Sequence, residues 1–167
     1  FLDDEAVDLL AEARDRLFVG PGIAWEIQLL ERGHEIGLGR NLMEARGYQH
    51  EIDETVSAVK RLREVGVRIL IGGDYGLSIT PHGSNAKDLQ YFVDLFEMSP
   101  AEALLCATRD GGLAFDPTGM LGTLEEETAA DLVIVDGDPI ADIAVLQDAD
   151  RIAAVVKAGV LHDDLLR

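Results

Sequence analysis

Gly66-Val67-Arg68-Ile69-Leu70-Ile71-Gly72-Gly73-Asp74 follows a helical pattern directly and closes on two glycines and a carboxylate. The β-branched residues Val67, Ile69 and Ile71 predict a buried strand over 67–71. A helix running straight into such a strand points to an α/β arrangement. In a parallel barrel, a carboxylate at the C-terminal tip of a strand stands on the catalytic face. The paired glycines let another backbone or a ligand come close and free the chain to turn. Taken alone, the aspartate of Gly-Gly-Asp reads more readily as a turn residue.

Upstream, Val56, Val59, Leu62 and Val65 mark a helix for which Asp53 is the expected cap and Gly66 the stop. Leu17-Phe18-Val19 before Gly20-Pro21-Gly22 predicts a second buried strand entering a loop. Between them, 25–47 reads as an irregular insertion with a short helical pattern at Ile27, Leu29 and Leu30. The opening Asp3-Asp4-Glu5 suits a helix N-terminus, where exposed N–H groups favour negative charge.

Downstream, the loop Pro81-His82-Gly83 precedes Ser84, an expected cap, and the stripe Leu89, Phe92, Val93, Phe96 at i, i+3, i+4, i+7. Ser99-Pro100-Ala101-Glu102 is a capping box with proline at the first helical position. Beyond about Leu113 the character changes. Asp131 to Val135 predicts a strand, and Arg151 to Leu161 predicts two short strands meeting at a turn around Ala158-Gly159. These form a small β unit appended to an α/β unit, with the division between 1–112 and 113–167.

The 167 residues fall short of the ~250 of a complete eight-fold barrel. Fourteen Lys and Arg against 32 Asp and Glu give a formal charge of -18. That balance disfavours nucleic acid and anionic membrane surfaces as partners. No apolar run approaches a membrane span, no positive leader segment opens the chain, and a cytoplasmic location is expected. Cys106 is the one cysteine, so no internal disulfide or multi-cysteine metal site forms. On an apolar helix it reads as a core residue. The acidic residues between Glu125 and Asp150 read as a solvated face, without calcium-loop spacing. Neither GxGxxG nor GxxxxGK[ST] occurs, which removes the usual dinucleotide and P-loop fingerprints.

Taken in order, Gly72-Gly73-Asp74, Pro81-His82-Gly83-Ser84-Asn85, Met98-Ser99-Pro100-Ala101-Glu102-Ala103-Leu104, Ala107-Thr108-Arg109, Leu121-Gly122-Thr123-Leu124-Glu125 and Ala130-Asp131-Leu132-Val133-Ile134-Val135-Asp136-Gly137-Asp138-Pro139 resemble the C-terminal part of the metal-dependent amidohydrolase superfamily. The imidazolonepropionase and prolidase-like branch is the nearest in pattern. The opening Phe1-Leu2-Asp3-Asp4-Glu5-Ala6 is similar to the segment after that family's sixth barrel strand. The resemblance implies the last part of a (β/α)8 TIM barrel, with strands seven and eight, followed by part of a small β-sandwich.

By the same resemblance, Asp74 matches the aspartate that ends the eighth strand, where it serves as metal ligand and as general base and acid. The implied cofactor is one or two divalent ions, zinc above all. A metal lowers the pKa of bound water and polarises a carbonyl, and an aspartate beside it can accept and return a proton. His82, from the Pro-His-Gly loop, and Tyr75 are the implied substrate-binding residues. Gly73 stands where relatives often carry Thr or Ser, and Tyr75 follows, so substrate preference does not transfer; Asp110 stands where relatives usually carry Asn, a departure that bears on local packing.

The implied activity is hydrolysis of amide-like C–N bonds in a cyclic amide, dipeptide, urea or carbamate. No His-x-His pair occurs, and the four histidines cannot supply the family's other ligands. His34, His50 and His162 read as exposed or structural, and Arg109 as a helix anchor or the partner of an acid in the β unit. The expected partners are therefore an N-terminal segment of the same enzyme, a small-molecule substrate and further copies in a homo-oligomer. The alternative is a non-catalytic relative that keeps the fold as a binding module.

Overall fold

The structure, a computed structural model, describes residues 2–162. Phe1 of the opening motif and 163–167 of the expected β unit lie outside the described residues. Helix α1 (Asp4–Glu12) starts as its acidic residues predict, with the Asp3 side chain accepting from the Ala6 N–H at 2.8 Å. Strand β1 (Phe18–Val19) and strand β2 (Arg68–Ile69) pair in parallel, Phe18 opposite Arg68 and Val19 opposite Ile69. The Leu70 N–H continues the ladder to the Val19 carbonyl at 2.8 Å. The Arg68 guanidinium lies 4.2 Å from the Phe18 ring centre, so the polar residue of β2 covers an apolar neighbour. Regular strand is shorter than the expected 67–71: Arg68 and Ile69 alone are paired residues, and Leu70 adds one last bond to β1 before the chain departs.

The stretch expected to be irregular is ordered. It contains α2 (Ile23–Arg32), a 3-10 turn at Gly33–Ile36 and α3 (Arg40–Ala45). Ile23, Ala24, Leu29 and Leu30 are buried along one side of α2, and Met43 is fully buried. The glycines that suggest irregularity close the turn between these helices, where the Leu38 N–H meets the Gly33 carbonyl at 2.8 Å. Helix α4 (Tyr48–Glu64) begins at Gly47, earlier than the predicted cap. Asp53 lies inside it and accepts from Gln49 Nε2 at 3.0 Å. Gly66 follows its last turn, as predicted.

Helix α5 (Lys87–Phe96) likewise starts after its predicted cap. Ser84 instead shapes the preceding turn, donating to the Pro81 carbonyl at 2.7 Å and accepting the Lys87 N–H at 3.0 Å. The Phe92 and Phe96 rings, fully buried with centres 4.9 Å apart, form the middle of the core. Helix α6 (Pro100–Leu105) carries the capping box, with the Glu102 carboxylate accepting the Ser99 N–H at 2.7 Å and the Ser99 hydroxyl accepting the Glu102 N–H. A π-helical turn, Cys106–Asp110, leads into α7 (Gly111–Phe115). Cys106 is buried, and its thiol is pushed up to about 11 by that burial. Arg109 pairs with its neighbour Asp110 at 2.8 Å and not with an acid of the β unit, a correction of the expected partner.

The remaining strands, β3 (Leu132–Val135), β4 (Ile152–Lys157) and β5 (Val160–Leu161), form an antiparallel sheet in that order. Asp131 ties the hairpin by accepting from the Ala158 N–H at 2.7 Å and from the Lys157 ammonium. Ile143, in a 3-10 turn before β4, packs into the same apolar cluster as Phe92. Among the described residues no helix is long and apolar enough to cross a membrane.

Candidate functional site

Parallel pairing sends the chain out of β1 and β2 on the same side, so the loops 20–22 and 70–76 emerge together. A β-carbon at Gly22 would stand 4.0 Å from the Gly72 carbonyl oxygen. Asp74 sits at this place, five residues beyond Ile69. Its backbone lies in the left-handed region, at φ 56°. Aspartate tolerates that region better than most residues, and such backbone gathers at functional sites. The Thr80 hydroxyl donates to the Asp74 carbonyl at 3.0 Å, and the Gly76 N–H to the Thr80 carbonyl at 2.8 Å, which fastens the loop. The Asp74 carboxylate is exposed and makes no hydrogen bond or ion pair within the described residues.

His82 and Tyr75 share this loop cluster. The His82 ring lies over Gly76, where a β-carbon would stand 3.1 Å from Nε2, and the ring is exposed. Tyr75 is half-buried and borders a cavity of about 140 Å³ that it shares with Gln28, Arg32, Thr80 and Lys87. Burial pushes its phenol well above the ordinary range, and the Asp88 carboxyl beside the hydroxyl adds to that shift. The structure therefore brings all three predicted residues to one loop cluster. His34, His50 and His162 are exposed elsewhere.

Sequence reasoning missed Asp88. It belongs to the first turn of α5, is 1% exposed, and lies beneath the loop. Its position on a helix that carries an apolar stripe gives no local sign of a site. The one signal is Gly73: a β-carbon there would stand 2.5 Å from Tyr75 Cε2 and 2.8 Å from both Ala24 Cβ and Asp88 Oδ2. Burial pushes the Asp88 carboxyl up to about 6, while the nearby Tyr75 hydroxyl and Gly72 N–H pull it the other way.

Among the described residues, no three of His, Cys, Asp and Glu gather closely enough to hold a metal ion. Asp74 nonetheless has the character of a single ligand, since an exposed, unpartnered carboxylate is a hard oxygen donor suited to a divalent ion. A loop carboxylate in strained backbone, beside the ends of two parallel strands, is the arrangement found in catalytic α/β proteins.

Residues 5–161 match the amidohydrolase family. The chain belongs to that family. It is 30% identical to the ochratoxinase of Aspergillus niger over 162 residues, covering 96% of this chain and 32% of that protein. The crystal structure of that ochratoxinase superposes with a TM-score of 0.79 at 26% identity, over 96% of this chain and 35% of the other. An imidazolonepropionase of Ralstonia nicotianae is 31% identical over 101 residues, 60% of this chain and 25% of its own. A Xaa-Pro dipeptidase structure with bound methionine gives a TM-score of 0.78 at 27% identity, over 97% of this chain and 38% of the other. The expected kinship is borne out. The chain spans about a third of the length of the ochratoxinase it matches, 32%.

Proposed function

We propose that this chain is the C-terminal portion of a metal-dependent hydrolase of amide-like C–N bonds, completed by an N-terminal segment of the same enzyme. In this reading, 1–112 supply strands seven and eight of a (β/α)8 barrel, and 113–167 supply strands of a small β-sandwich. The observation that carries it is Asp74: an unpartnered carboxylate beyond the C-terminal end of β2, in a chain of the amidohydrolase family. The unfinished sheets support the same view. β1 and β2 form a two-stranded parallel pair, an arrangement stable only when extended and covered. Val133 and Ile134, which successive strand residues direct to opposite faces, are 58% and 52% exposed.

Asp74 would hold a divalent ion, zinc in this proposal, together with ligands from the N-terminal segment. Such an ion, when bound, supplies a Lewis acid and brings the pKa of water towards neutrality. Asp74 accepts a proton from the water whose oxygen attacks the scissile carbonyl carbon. As the C–N bond breaks, it returns that proton to the leaving nitrogen. Tyr75 and His82 contact the substrate, with His82 placed to polarise its carbonyl. The substrate is a small amide of the dipeptide, cyclic amide, urea or carbamate kind. The likeness to a Xaa-Pro dipeptidase structure supports testing dipeptides first. A cytoplasmic homo-oligomer without nucleic-acid or membrane partners completes the proposal.

The test is Asp74→Asn in the complete polypeptide, assayed on Xaa-Pro and other dipeptides, cyclic amides, ureas and carbamates. Turnover should fall at least about a thousandfold with the fold intact by circular dichroism, in line with the loss of both ligand and base. Near-normal turnover removes Asp74 from the reaction.

A further inference from the structure

A buried carboxyl lies directly under the candidate site. Asp88 is 1% exposed, and neither of its carboxyl oxygens has a hydrogen-bond partner of ordinary geometry. The Tyr75 hydroxyl and the Gly72 N–H lie close enough to favour its charged form, but burial outweighs them. Burying a carboxyl with so little compensation is expensive, so native structures keep few such groups. Burial raises this carboxyl to about 6, which makes its charged form at neutral pH a liability for folding. An apolar residue in the first turn of α5 would serve the core better.

The position of the group gives it a use. Asp88 Oδ2 presses against Gly73, the residue immediately before Asp74, so that no β-carbon fits between them. The Tyr75 ring, immediately after Asp74, closes the same space, and Ala24 of α2 closes its far side. Residues 73 and 75 are thus both set by what lies beneath them, while Asp74 points outward between them.

Resting on the reading of Asp74 given above, we propose that Asp88 is a positioning residue: from below the loop it fixes Gly73 and Tyr75, and through them the direction in which Asp74 presents its carboxylate. Removing the support of a metal ligand ordinarily costs about 10- to 100-fold in metal affinity or activity. A displacement of about 1 Å at a reacting group can cost about 100-fold in rate.

The experiment uses the complete polypeptide as wild type, Asp88→Asn, Asp88→Ala and Asp74→Asn. The metal-free proteins are titrated with cobalt(II), and kcat and KM are measured separately after zinc loading. Melting temperature is recorded for each. Asp88→Ala should lower kcat about 10-fold or more and weaken cobalt(II) binding about 10-fold, with KM moving less than about threefold. Asp88→Asn keeps the size and one acceptor oxygen, and should recover part of both losses. It also serves as the test should the alanine variant fail to fold. If Asp74→Asn is inactive while a folded Asp88 variant keeps kcat and cobalt(II) affinity within about twofold of wild type, Asp88 is a packing residue and this inference falls alone. A change confined to KM or melting temperature overturns it equally. If Asp74→Asn is itself active, the reading of the site falls and this inference with it.

Discussion

Gly122 rests against the carbonyl of Thr108 so closely that a β-carbon on it would stand 2.1 Å from that oxygen. Thr108 belongs to the π-helical turn, and the loop carrying Gly122 leads on to β3. Gly122 also adopts φ 83°, a conformation that side chains resist. Gly122→Ala should therefore destabilise the complete polypeptide by at least about 2 kcal/mol, since strained backbone and a clash with main chain add together. Urea unfolding monitored by circular dichroism measures this. An unchanged midpoint would mean that the loop moves off the π turn at no cost.

Phe92 has no exposed surface and packs at a tilt against Phe96. Phe92→Ala should cost about 3–5 kcal/mol, the usual range for emptying a core aromatic site. The same urea experiment reads it, and a loss below about 1 kcal/mol would show that the core closes around the cavity.

The pH dependence of stability should separate Asp88 from the surface acids. Its folded pKa, raised to about 6, exceeds the ~3.9 of an unfolded aspartate. Folding thus favours its neutral form. The resulting stability is fully present below about pH 4 and is lost as pH rises towards 6. Glu35, Glu97, Glu102 and Asp131 are shifted downward by their partners and work in the opposite sense. Their contributions are common to wild type and Asp88→Asn, so they cancel in the difference. The advantage of Asp88→Asn over wild type should therefore shrink, by on the order of 2 kcal/mol, as pH falls from 7 to 4. Urea midpoints of the two proteins across that range measure it, and a flat difference would place an unshifted carboxyl at position 88.

What the sequence made legible was local. The stripe ending in Phe96 and the Ser99–Glu102 capping box need only neighbouring residues, and both stand as read. The start of α4 was hidden because Gly47, its actual cap, offers no side-chain bond, while Asp53 imitates a cap from inside the helix. The order of α2 and α3 depends on Met43 reaching a core built by distant segments, which periodicity does not report. At the site, Asp74 stands out in the sequence because a carboxylate follows a β-branched run, although the strand itself ends five residues earlier at Ile69. Asp88 did not, because its meaning comes from contact across the fold. The glycine pair did signal a close approach, and the neighbours that fill it are Asp88, Tyr75 and Ala24.

That crowding under Gly73 also constrains how such chains diverge. A lineage that acquires any side chain at position 73 has to shorten or redirect its neighbours at 75 and 88 in the same evolutionary step. These positions should therefore change as a linked set, with substitutions at one tolerated only on the background of the others.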